Sequence, residues 1–168
     1  MSEGLLAPAI TVTRQPEGRP WQVGSMACPA LFGGPLAVTL LGLVNGRRLG
    51  ATPAAQLAVA AAGLVAFGAQ IVIGIAAGRF WLGMVSVFAT DGVMQWVALT
   101  GLQVLVSATA GVAAWMAVTA FQHRPFHAYE QGGGEPGRLF LPGLGVVLGV
   151  VLVEAAAAYL AIQPALGP

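Results

Sequence analysis

The sequence predicts an all-α fold, a polytopic membrane helix bundle of about five transmembrane helices. Asp, Glu, Lys and Arg make up only 8% of the 168 residues, whereas a soluble domain carries about 25%. Hydrophobic residues make up 57% of the chain, and the mean hydropathy is +0.82. So few charges cannot cover the surface of a soluble fold, and disorder requires low hydrophobicity. The apolar residues form continuous runs, which favours helices over the short alternating strands of a barrel.

Each helix that crosses a bilayer needs about 20 apolar residues, and five runs meet this condition. The predicted spans are 27–45, 53–77, 80–99, 102–121 and 139–162, within one transmembrane domain at 26–163. Arg47 and Arg48 end the first span, and Gly78 with Arg79 ends the second. The apolar stretch 80–121 is too long for one span, so we divide it at Thr100-Gly101. Whether the chain has a sixth span stays open.

Polar segments flank the predicted spans and set their orientation. Residues 1–25 read as a flexible or surface-lying tail, and 164–168 as a short C-terminal tail. With five spans, two arginines lie on one side of the membrane, Arg47 and Arg48, and five lie on the other side: Arg14, Arg19, Arg79, Arg124 and Arg138. The positive-inside rule then places the N-terminus in the cytoplasm. All seven cations are Arg, and with abundant Ala, Gly and Val this composition indicates the inner membrane of a GC-rich bacterium.

Asp91 is the most informative polar residue, because it lies near the middle of the third predicted span. A carboxylate there costs about 2.5–3.5 kcal/mol on insertion scales, so it should face the bundle interior or a wet cavity. Gln95 follows four residues later on the same helical face. The pair could belong to a permeation path, with Asp91 as a proton site. Alternatively, Asp91 is a buried carboxylic acid hydrogen-bonded to a neighbouring span.

Three further polar residues lie in the predicted spans. Glu154 is beyond the midpoint of the last span, where it could line a cavity or reach the interface. Gln70 in the second span and Gln103 in the fourth can bridge helices by hydrogen bonds.

Motifs of enzymes, cofactors and nucleic-acid binding are not found. His123 and His127 have the spacing of two metal ligands on a helix, but a third ligand is missing and Pro125 lies between them. Cys28 is a lone cysteine without a catalytic context. The net charge of +1 includes no basic stripe. We therefore expect no catalytic activity, no metal, no cofactor and no nucleic acid.

Three stretches between residues 28 and 96 have the pattern of a known family. The first is Cys28-Pro-Ala-Leu-Phe-Gly-Gly34, followed by Asn45. The second is Gln70 with Gly74, and the third is Phe88-Ala-Thr-Asp-Gly92 followed by Trp96. They resemble signatures in the first, second and third helices of the acetate uptake transporters, the family of the bacterial succinate–acetate permeases. The leading Asn of the family is Cys28 here, and the family's Tyr is Asp91.

The resemblance implies a passive channel or a proton-coupled carrier for short monocarboxylates, assembled as a homo-oligomer with one pore per protomer. Pro29, Asn45, Gln70 and Phe88 would then belong to the pore wall or its gates. The expected partners are the lipid bilayer and a small carboxylate or other small solute. An ionised Asp91 would repel such an anion, so this residue helps only when it is protonated or carries the neutralising proton.

The chain's shortness and sparse polar content favour a second function class. It could be a non-catalytic transmembrane subunit that packs into a larger membrane complex. Gly74-Ile-Ala-Ala-Gly78 and Gly145-Val-Val-Leu-Gly149 are small-xxx-small patterns that let helices approach closely. They serve packing within one protomer or contact between subunits.

Overall fold

The computed structural model describes residues 18–88 and 92–166, and over these residues the fold is all-helical, as predicted. A 3-10 helix at Val23–Met26 leads into α1 (Ala27–Arg48), α2 (Pro53–Phe88), α3 (Gly92–Gln131) and α4 (Phe140–Leu166). Three segments are long and apolar enough to cross a membrane: Val23–Arg48, Pro53–Phe80 and Val97–Gln131. A shorter apolar helical stretch covers Phe140–Glu154. The five predicted spans are thus not recovered as five helices.

Helix α1 is folded back on itself at Gly34. This glycine has φ 63° and ψ −163°, far from helical values, and Pro35 after it has no N–H to donate to the preceding turn. The backbone amide of Trp21 lies 2.6 Å from Asn45 Oδ1. An unbroken helix would place Ala27 and Asn45 about 27 Å apart. The halves 27–33 and 35–48 therefore run antiparallel, and we call residues 21–48 the α1 hairpin, with its tip at Gly34-Pro35.

Both halves of the α1 hairpin pack along α3. At the tip, a Cβ placed on Gly34 would lie 2.6 Å from Ser107 Oγ. Further along, the indole Nε1 of Trp115 donates to the carbonyl of Val23 over 3.1 Å. At the other end, Asn45 Nδ2 donates to Gln122 Oε1 over 2.9 Å. Residues 107 to 122 of α3 thus run from the tip to the open end of the hairpin, which we call its base.

Helix α2 covers the second half of the hairpin. Thr52 Oγ1 accepts from the amide of Ala55 at 3.3 Å, and Pro53 occupies the first helical position, where its missing N–H costs nothing. Gly63 lies against the side chain of Thr39, so that a Cβ there would overlap it. Gln70, two turns further along α2, therefore lies at the level of the tip.

Helix α4 covers the first half of the hairpin. A Cβ on Gly143 would lie 3.3 Å from Pro29 Cγ, and one on Gly33 would lie 3.0 Å from Val147 Cγ2. Before α4, the amide of Gly137 donates to the Pro20 carbonyl over 2.8 Å. The hairpin thus contacts α2, α3 and α4, and these three helices continue beyond its tip.

Two predicted helix ends are wrong. Helix α2 continues through Gly78 and Arg79 to Phe88, and α3 runs through Thr100 and Gly101 without a turn. A glycine inside a helix costs only about 1 kcal/mol. Ending the helix in apolar surroundings would leave several backbone groups without partners.

The predicted first span at 27–45 is interrupted at Gly34, and this changes where the arginines lie. Arg48 Nη1 donates to the carbonyl of Arg19 over 3.0 Å, although the predicted topology put these residues on opposite sides. The guanidinium of Arg48 also lies 4.0 Å from the ring centroid of Trp21.

Three residues in the described part of the predicted polar tail are buried, Pro20, Trp21 and Val23. Trp21 is 4% exposed and Val23 is buried as well. Trp21 also forms a short parallel β-bridge with Gly137. Residues 1–17 and the C-terminal pair 167–168 lie outside the described residues.

Candidate functional site

The tip of the α1 hairpin is surrounded by polar groups inside an apolar bundle. Gln70 is 4% exposed, and its Oε1 is a buried side-chain atom without a hydrogen-bond partner in the described structure. A Cβ placed on Gly34 would lie 3.7 Å from this oxygen and 2.6 Å from Ser107 Oγ. Leaving a buried acceptor unpaired costs about 1–3 kcal/mol. An unpaired buried oxygen beside a helix break is the kind of group a ligand or water can satisfy.

The break itself frees backbone groups at the same level. The second half of the hairpin begins at Pro35, so the amides of Leu36 and Ala37 have no acceptor one turn earlier in the same helix. These amides carry the positive end of a helix dipole, and the first half ends at the tip with its negative end. The Thr39 hydroxyl donates to the Pro35 carbonyl over 2.6 Å, which braces this first turn.

A cavity of about 530 Å³ lies between α2 and α3 beyond the tip. It is lined by Gly74, Gly78, Leu99, Thr100, Leu102, Gln103 and Val104. Gly74 is one helical turn from Gln70, and Gln103 is one turn from Ser107. The side chain of Gln103 covers Gly74, with its Oε1 2.9 Å from where a Cβ would stand. This cavity provides space for a small solute next to the hairpin tip, on the side away from the base.

The tip offers both kinds of hydrogen-bonding group. The carbonyl of Gln70 accepts, the Ser107 hydroxyl can donate or accept, and the first amides of the second half-helix donate. Helix N-termini bind carboxylates and other anions for the same reason. Broken helices with such termini at membrane depth form the solute sites of many transporters. The arrangement can therefore hold a small solute that carries a donor and an acceptor.

Asn45, predicted in the solute path, lies at the hairpin base instead, about 16 Å along its helix from Gly34. Its side chain is 0% exposed and bonds both the amide and the carbonyl of Trp21, at 2.6 and 3.1 Å. Gln122 Nε2 donates in turn to the Gly42 carbonyl over 2.5 Å. Asn45 therefore joins the N-terminal segment, α1 and α3 at the base, and Gln70 alone among the predicted amides with described side chains lies buried at the tip.

The other predicted site residues are not brought to the tip by the described structure. Pro29 is buried in the first half of the hairpin against Gly143. Glu154 is half-buried on α4, about 10 Å beyond Val147 and hence beyond the tip. Asp91 lies outside the described residues, and the side chains of Phe88 and Gln95 are outside them too.

The histidine pair lies on the exposed end of α3, away from the tip. His123 Nε2 and His127 Nε2 are 3.1 Å apart, and His127 Nδ1 is 3.4 Å from a Glu130 carboxylate oxygen. Among the described residues, His, Cys, Asp and Glu side chains form no group of three or more suited to a metal ion. The cluster is a solvent-facing helix end.

Two features of the tip, the Ser107 hydroxyl and the turn at Gly34, were not predicted from the sequence. Ser107 gives no signal in an apolar run, because a single hydroxyl is common in membrane helices. Gly33-Gly34-Pro35 does give one, since a glycine that ends a helix and a proline that begins the next are a recognisable boundary. This boundary falls in the middle of the predicted first span, where it marks the turn.

Fold and site together define an all-helical protein with helices long and apolar enough to cross a membrane and a polar break inside the bundle. Comparisons with models of protein families, with curated proteins and with solved structures found no match. The resemblance to acetate uptake transporters therefore stays a prediction.

Proposed function

We propose that the chain is a membrane transporter or channel for a small solute, with its binding site at the tip of the α1 hairpin. The observation that carries this proposal is the unpaired, buried Oε1 of Gln70 beside the helix break at Gly34. Irregular backbone at membrane depth is tolerated where it is buried in protein or lines a water-filled cavity. In this proposal α2, α3 and the 27-residue α4 cross the bilayer. Residues 23–48 are long and apolar enough to cross, but α1 turns back at Gly34, so the α1 hairpin enters and leaves on one side.

This topology gives a consistent orientation in the bacterial inner membrane. The hairpin base carries Arg19, Arg47, Arg48, Arg124 and Arg138, whereas Arg79 lies about 39 Å along α2 from Pro53. Cytoplasmic segments are enriched in Arg and Lys, so the base faces the cytoplasm. The N-terminal segment is then cytoplasmic, and the cavity between α2 and α3 opens towards the outer side.

A short monocarboxylate such as acetate fits the groups at the tip. In its protonated form, the acid donates its O–H to Gln70 Oε1 and accepts from a half-helix amide or from Ser107. Entry as the neutral acid also avoids the cost of an unpaired charge in apolar surroundings. Asp91 and Glu154 are candidates for handling the accompanying proton, with Asp91 assigned from the sequence alone.

Uptake of radiolabelled acetate into proteoliposomes tests the proposal. We expect faster uptake than in empty liposomes, and an imposed inward proton gradient should increase it. Gln70→Met should lower uptake at least tenfold, whereas Gln131→Met, at the exposed base end of α3 and away from the cavity, should retain most of it. Asp91→Asn separates proton coupling from permeation, because only the gradient-driven increase should disappear. Uptake no faster than in empty liposomes would refute the transporter.

A second function, a subunit of a larger membrane complex, is favoured by the length of α2 and α3. Helix α2 has 36 residues and α3 has 40, which gives about 54 and 60 Å. Both exceed the hydrocarbon thickness of about 30 Å. Phe80 lies towards the end of α2 and Val97 near the start of α3, and their side chains are 67% and 61% exposed. Co-purification of a stoichiometric partner lost on Phe80→Glu, with acetate uptake absent, would support this alternative.

A further inference from the structure

A second cavity, of about 590 Å³, lies between the first half of the α1 hairpin and α4. Its lining is apolar apart from Ser25. Ser25 and Cys28 lie towards the hairpin base, while Phe32 and Val147 lie towards the tip. We call this cavity the α1–α4 groove. It is separate from the cavity between α2 and α3 that adjoins the tip.

Cationic side chains lie at the base end of the groove. Arg138 directly precedes Leu139, which lines the groove, and its side chain is exposed and has no ion pair in the described structure. Arg19 is close by, because a Cβ on Gly137 would lie 2.9 Å from its carbonyl oxygen. Arg19 is itself 3.4 Å from the carboxylate of Glu135. Arg138 is therefore an exposed arginine without an ion pair in the described structure, one residue before the groove lining.

We propose that the α1–α4 groove binds an anionic phospholipid from the bilayer leaflet at the hairpin base. The phosphate contacts Arg138, and an acyl chain lies along Phe32 and Val147. Basic sites between membrane helices at the cytoplasmic side bind anionic headgroups through the same combination of charge and apolar depth. An exposed arginine beside one end of an apolar groove matches an amphiphile, which combines a charge with an apolar chain, better than it matches an apolar helix face of a second copy.

The lipid would also brace the hairpin. The first half of α1 is only 27–33, and on its groove side Phe32 is 75% exposed. An acyl chain on this side supplies the packing that a full-length neighbouring helix would otherwise provide. Occupancy of the groove should therefore stabilise the folded chain by an amount that rises with the logarithm of the free lipid concentration once this exceeds the dissociation constant.

Native mass spectrometry of the detergent-purified chain tests this site. The probes are phosphatidylglycerol and phosphatidylcholine with identical acyl chains. We expect tighter binding of phosphatidylglycerol, and Arg138→Gln should weaken it about fivefold, because one Arg near an anionic surface contributes about 1 kcal/mol. The matched control is Arg124→Gln. Arg124 is also exposed, and because it follows buried Gln122 by two residues, it lies about 200° around α3 from that side chain. It should change binding by less than about twofold, within the range of an uninvolved surface residue.

A second variant tests the apolar part of the groove. Cys28 is exposed and lines it, so Cys28→Trp should fill the groove and weaken both lipids, with thermal unfolding showing that the variant folds. Equal affinity for the two lipids, or an equal effect of the two arginine substitutions, would overturn the proposal. So would lipid binding unchanged by Cys28→Trp, or a protein dimer that Cys28→Trp abolishes regardless of lipid.

Discussion

The backbone amide of Trp21 donates to Asn45 Oδ1 over 2.6 Å, and Asn45 Nδ2 donates back to the Trp21 carbonyl over 3.1 Å. The amide side chain of Asn45 thus pairs with one residue of extended backbone as a neighbouring strand would. This pairing can form only if α1 turns back between the two residues. It closes the α1 hairpin at its base and holds the tip inside the bundle.

Gly34→Ala should destabilise the fold. The positive φ of Gly34 is unfavourable for any residue with a Cβ, and the added methyl would lie 2.6 Å from Ser107 Oγ. Together, strain and crowding should lower the free energy of unfolding by about 2–4 kcal/mol. The measurement is reversible unfolding in detergent. Gly68→Ala is the control, because Gly68 is helical with nothing within 4 Å of its Cβ position, and it should be neutral or stabilising by up to about 1 kcal/mol.

Asn45→Ala should open the base of the α1 hairpin. It leaves the Trp21 amide and carbonyl and Gln122 Oε1 without their present partners. Loss of these buried bonds should cost roughly 2–4 kcal/mol of unfolding free energy. Hydrogen exchange at the Trp21 amide should accelerate more than exchange in α2. Gln131→Ala, at an exposed helix end, should stay within about 0.5 kcal/mol of the parent. Unchanged protection of Trp21 would contradict the structural role of Asn45.

Gln70→Met should stabilise the protein while it removes transport. The substitution keeps the side-chain length and replaces the unpaired Oε1 by an apolar group. Removing an unsatisfied buried acceptor should raise the unfolding free energy by about 1 kcal/mol. Gln103→Met, at an exposed position, is the matched control and should change stability little. If Gln70→Met destabilises the chain, Gln70 connects helices and the solute site must be sought elsewhere.

The topology of the hairpin can be read from cysteine labelling in membrane vesicles. In a Cys28→Ser background, Gln22→Cys before the hairpin and Ala54→Cys after it should react with an impermeant maleimide from the same side. Gln131→Cys marks the side of the hairpin base, because Gln131 is the last residue of α3. Arg79→Cys should react from the other side. Labelling of Gln22→Cys and Ala54→Cys from opposite sides would show that α1 crosses the bilayer.

The sequence predicted the helices better than their ends. Gly78 and Thr100-Gly101 were read as boundaries, yet both lie within continuous helices. A glycine weakens a helix by an amount that neighbouring packing easily exceeds. At Gly34 the same residue type does end a helix, because Pro35 removes the amide that would continue it. The local signal was present in Gly33-Gly34-Pro35, but an apolar run of 19 residues outweighed it in the assignment of a span.

Composition and the order of the apolar residues determined that this chain has helices apolar enough for a membrane, because the charges are few and the apolar residues form long continuous runs. The sequence also drew attention to Gln70 as a polar residue within a span. Only the tertiary structure decided that Gln70 faces a helix break while Asn45 closes the hairpin base. That choice depends on contacts between residues 24 to 80 positions apart. Periodicity and propensity describe only near neighbours in the chain, so they cannot specify which side of the bundle the chain returns to.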